Sequence, residues 1–101
     1  MIAIYELRKE ESVSSRREAE DLVRLMRKDG YDLPKDCLVS GSFYGGEVIA
    51  TFLDKSQCCP INITIPNGRS PRIEIIGVEA DVLRVRGDLT KLLSGTGLNF
   101  I

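Results

Sequence analysis

The chain has 101 residues, 14 of them Lys or Arg and 15 Asp or Glu, giving a formal net charge of -1 with no histidine. Hydrophobic residues at 43% beside charged residues at 29% are ordinary globular values, which excludes disorder and collagen-like repeats and predicts a single domain over residues 1–101. Without histidine there is no Ser–His or Cys–His nucleophile pair, no His-ligated zinc and no imidazole base, so a non-catalytic role is expected ahead of an enzymatic one.

The apolar run after Met1 is only four residues long before charge begins, too short for a signal peptide or a membrane span. The expectation is a cytoplasmic chain with no membrane partner. Its three cysteines, an odd number with two of them adjacent, are read as reduced thiols. Ile2 to Leu7 reads as a strand partly buried on both faces. Ser15-Arg16-Arg17-Glu18 has the form of a capping box, and Ala19, Leu22, Val23 and Met26 then recur at the spacing of one helical face until Gly30.

Cys37 to Leu53 reads as a β-hairpin about Gly45-Gly46, two residues that tolerate the positive φ of a type I′ turn. In that register Val39, Phe43, Val48 and Phe52 share one face around a Gly41/Ala50 notch, while Leu38, Ile49 and Leu53 lie on the other with Ser40, Ser42 and Thr51. Ile61 to Ile65 alternates strictly, with isoleucines on one side and Asn62 and Thr64 on the other. Arg72 to Gly77 and Asp81 to Arg86 read as two further strands, paired so that Ile73 meets Val85 and Glu74 meets Arg84. Asp88 is read as the cap of a short last helix carrying Leu89, Leu92 and Leu93, closed by Gly95.

The fold class that follows is α+β: a mostly antiparallel, twisted sheet of about five or six strands, one long amphipathic helix after the first strand, and a short C-terminal helix. A parallel pairing of the first strand with an arm of the hairpin stays open.

Four constellations carry chemistry. Arg72, Arg84 and Arg86 fall on one sheet face in the pairing above, with Arg69 nearby, and such a face suits phosphate. Glu74 sits among them and no aromatic is interleaved for base stacking, so nucleic acid or another polyanion is the alternative reading and not the first. Cys58 and Cys59 lack a CxxC clasp and are read as small packed thiols, not metal ligands. The glycine-rich stretch Gly41 to Gly46 lacks a Walker lysine and leads into no helix. Glu79, Asp81 and Asp88 lack the EF-hand pattern. No cofactor or metal is therefore expected, and a small-ligand or metal protein is the third reading.

The leading expectation is a small protein acting by macromolecular interaction, including self-association as a homodimer. A helix of the length read here spans about 21 Å and covers two or three strands at a spacing of about 4.8 Å. The apolar residues Leu38, Ile49, Leu53, Ile76 and Val82 would then be left for a partner.

Overall fold

The computed structural model describes residues 1–9, 12–13, 15–32, 46–56, 59–66 and 70–101. Among them are β1 (Ile2–Lys9), β2 (Ser12–Val13), α1 (Arg16–Lys28), β3 (Glu47–Leu53), β4 (Pro60–Ile65), β5 (Arg72–Ile76), α2 (Glu79–Leu92) and β6 (Leu98–Phe100). The strands form one sheet in the order β2-β1-β5-β4-β3, with β6 also paired to β1, and every pairing is antiparallel. The architecture is α+β. The first strand pairs with β5, β2 and β6, which answers the open question of its direction.

The register explains the core. Ala3, Ile75, Ile61 and Phe52 align across β1, β5, β4 and β3, and Tyr5, Ile73, Ile63 and Ala50 form the next row. Ile61, Ile63, Ile73 and Ile75 are fully buried, each contributing about 1.5–3 kcal/mol by leaving water. Ala19, Leu22, Val23 and Met26 of α1 and Val82, Val85 and Leu89 of α2 join the same cluster. Both helices therefore lie on one face of the sheet.

The predicted capping box is present: the Glu18 carboxylate accepts the Ser15 backbone N–H at 2.7 Å and also the Ser15 hydroxyl. At the other end Gly30 takes φ +94°, and the Tyr31 N–H reaches back to the Met26 carbonyl at 3.0 Å.

Residues 79–92 are helical, not a strand followed by a short helix. Val82, Val85 and Leu89 are the buried residues of this helix, at helical spacing, while Leu83 is half exposed. Asp88, read as a cap, lies inside the helix, as does Gly87, where a Cβ would meet open space. The apolar residues at 82, 83 and 85 fit a strand as well as a helix, and packing on β5 decides for the helix. The expected pairing of Ile73 with Val85 and of Glu74 with Arg84 does not form. A Cβ at Gly77 would lie 2.7 Å from the buried Cys59 sulfur.

Glu47 to Leu53, the second arm of the expected hairpin, is a strand that pairs with β4. Gly46 has φ +99°, and a Cβ there would approach the Ile65 carbonyl oxygen to 2.9 Å, so only glycine fits. Gly41, Gly45, Leu38, Cys37, Cys58 and Arg69 lie outside the described residues.

Candidate functional site

The face of the sheet away from the helices carries a second set of rows. Ile4, Glu74, Asn62 and Thr51 align across four strands, and beside them run Glu6, Arg72, Thr64 and Val48. The strict alternation of β4 therefore separates two interiors, because Asn62, Thr64 and Glu74 are each 0% exposed. Burial of such groups is costly unless they are hydrogen-bonded. The Thr51 hydroxyl donates to the Asn62 carbonyl at 2.9 Å, and the Asn62 amide donates to the Glu74 carboxylate at 3.4 Å. This chain holds three strands in one register.

The adjacent row is less complete. Glu6 accepts a 3.0 Å bond from the Arg8 guanidinium and another from Ser70, and the first of these chiefly holds its pKa below the usual carboxylate value. Arg72 stands between Glu6 and Thr64 in the register, but its buried Nε has no hydrogen-bond partner, and neither has the buried Thr64 hydroxyl.

The three arginines expected on one face are separated. Arg72 is on β5, and Arg84 and Arg86 are on α2, against the opposite side of the sheet. Arg84 donates to Asp54 at 3.0 Å and lies 3.6 Å from Asp81 and 3.9 Å from Asp88. Asp54 is buried and also accepts the backbone N–H of Cys59 at 2.7 Å and of Ser56 at 3.2 Å, so this cluster ties α2 to the turn after β3. Arg86 stacks over the Tyr5 ring at 4.7 Å. The arginine face dissolves because a helix, unlike a strand, points residues 84 and 86 in different directions.

The expected interface residues are likewise dispersed. Val82 is fully buried under the helix, and Leu53 is buried beside Pro60, so neither offers surface. Ile76 is half-buried on the second face opposite Ile2, and Ile49 sits half-buried at the β-bulge of β3. Ile2 and Ile4, also half-buried, were not singled out, although their strand was read as partly buried on both faces.

Asp81 and Asp88 flank Arg84, and among the described residues no three His, Cys, Asp or Glu side chains converge as a metal site requires. Cys59 is a buried core residue. Tyr31, packed beneath Lys55, has its pKa pushed up to about 12, chiefly by burial. A cleft of about 320 Å³ between α1 and β6 is floored by Leu25 and Leu98, but the acids on its wall are engaged, Glu18 by Ser15 and Asp21 by Arg24. Among the described residues no helix is long and apolar enough to cross a membrane. In comparisons with known proteins the chain matches no family model, no curated protein and no solved structure.

Proposed function

We propose that this is a non-catalytic protein that acts by macromolecular association through its sheet, with a second copy of the chain as the partner. The observation that carries the reading is the outer edge of β1. Leu7 N–H donates to the Pro71 carbonyl at 2.9 Å and Gly77 N–H to the Met1 carbonyl at 3.0 Å, so odd-numbered residues turn their backbone toward β5. Glu6 exchanges two 2.9 Å bonds with Ile101, so even-numbered residues turn the other way. Ile2 and Ile4 then direct N–H and C=O groups outward, and among the described residues nothing pairs with them.

Edges of this kind are usually guarded. Among the described residues the outer side of β3 is: it carries a bulge at Ile49, Asp32 crosses it at Leu53, and Arg16 holds Glu47 at its start. The edge of β1 has no such device, since Ile2, Ala3, Ile4 and Tyr5 carry no charge and no proline. Two copies brought together about a two-fold axis at Ala3 would place Ile2 of each opposite Ile4 of the other, the one antiparallel register in which both outward residues pair. The half-buried side chains of Ile2, Ile4 and Ile76 would then run on across the junction.

Light scattering over a micromolar dilution series tests this. The expected mass is that of two chains, falling to one in Ile4→Pro, which removes only an outward N–H and so leaves the internal ladder intact. Circular dichroism of the variant checks its fold, and Ile2→Lys provides an independent second block. A single-chain mass for the wild type across the series would overturn self-association.

A further inference from the structure

Thr64 and Arg72 are cross-strand neighbours on the second face, and the buried Thr64 hydroxyl and the buried Arg72 Nε both lack a hydrogen-bond partner. Neither finds one nearby. Glu6, the cross-strand neighbour of Arg72, is bonded to Arg8 and Ser70, and Glu74, next on the same face of β5, takes the Asn62 amide. Among the described residues Arg72 forms no ion pair.

A guanidinium edge left unpaired in a region that water does not reach is costly, whereas the same edge is the strongest side-chain partner for an oxyanion. Arg72 as a whole is only half-buried although its Nε is buried, whereas Thr64 is 0% exposed. With Glu6 neutralised by Arg8, the positive charge of Arg72 is the one left uncompensated in this row.

We infer that Thr64 and Arg72 form a binding site for a small oxyanion, a carboxylate or a phosphate group, held by the guanidinium edge and capped by the threonine hydroxyl. The site is independent of the β1 edge, and occupancy does not require a second copy of the chain.

The test is thermal unfolding at fixed ionic strength with inorganic phosphate, acetate or chloride, together with the ¹⁵N chemical shift of the Arg72 Nε. At a free anion concentration near ten times Kd the expected rise in Tm is about 7 °C. The rise should disappear in Arg72→Gln and in Thr64→Val. Thr64→Val should itself melt at or above the wild type without added anion, because it removes an unpartnered buried hydroxyl and keeps the shape. A response to phosphate alone assigns the site to phosphoryl groups, to acetate alone to carboxylates, and to both to either chemistry. No response of Tm or of the Arg72 signal to phosphate or acetate beyond the chloride control would overturn the proposal. So would a response that survives in both variants.

Discussion

The two faces of the central strands are both removed from water, yet they do so by opposite means. On one, Ile61, Ile63, Ile73 and Ile75 meet the helices; on the other, Asn62, Thr64 and Glu74 alternate with them at the same burial. The apolar face draws its stability from area and tolerates any well-packed shape. The polar face gains little net energy from each bond, but a bond left unmade is expensive, so it selects one register and penalises a slip. The pair teaches that the alternation of β4 marks two interiors and not an interior and a surface.

The sharpest way to test that contrast is to cut into each face. Ile63→Ala leaves a cavity between β4 and the helices, and the expected loss is about 2–5 kcal/mol by denaturant unfolding. Asn62→Ala removes the link between Thr51 and Glu74, for an expected loss of about 1–3 kcal/mol. A loss near zero for Asn62→Ala would show that the second face is solvated and the contrast false. The smallest effect belongs to the periphery, where Arg16 holds Glu47 through bonds of 2.9 and 3.1 Å between exposed groups.

The Arg16 bond holds the Glu47 pKa below its ordinary value. A carboxylate depressed in the folded state contributes stability above its unfolded pKa, and this is lost as pH falls through the folded one. Wild type and Glu47→Gln should therefore differ slightly at neutral pH and converge in acid, read as unfolding midpoints across an acid series. A difference that persists at low pH would mean that the pair contributes through packing and not charge.

How much was legible follows from how local each signal is. The helix at 16–28 was readable because its cap, its apolar stripe and its glycine stop lie within one stretch of chain, and Ser15, Glu18, Met26 and Gly30 each do what their chemistry suggests. The strands at 47–53, 60–65 and 72–76 were readable for the same reason. The stretch at 79–92 was not: Val82, Leu83 and Val85 satisfy a period of two or of 3.6 equally well over so few residues. Continuing the count to Leu89 favours the helix, but Gly87 and Asp88 look like punctuation in between. The arginine face depended on that misreading, and it fell with it. Of the described candidates Arg72 alone remained on the sheet, and its unpaired Nε shows only once Glu6, Arg8 and Thr64 are brought beside it.

By itself the sequence determined the α+β class, the first helix with its two ends, the positive-φ glycine at 46 and the apolar/polar alternation of β4, because each depends on residues a few positions apart. Only the tertiary structure decided that β1 lies between β5 and β2, that both helices share a face, and that Arg84 is committed to Asp54 while Arg72 is not. Those outcomes depend on which distant backbone groups pair and which charges reach one another first, and contacts between residues 30 or more positions apart, such as Arg84 with Asp54, leave no periodic trace in the chain.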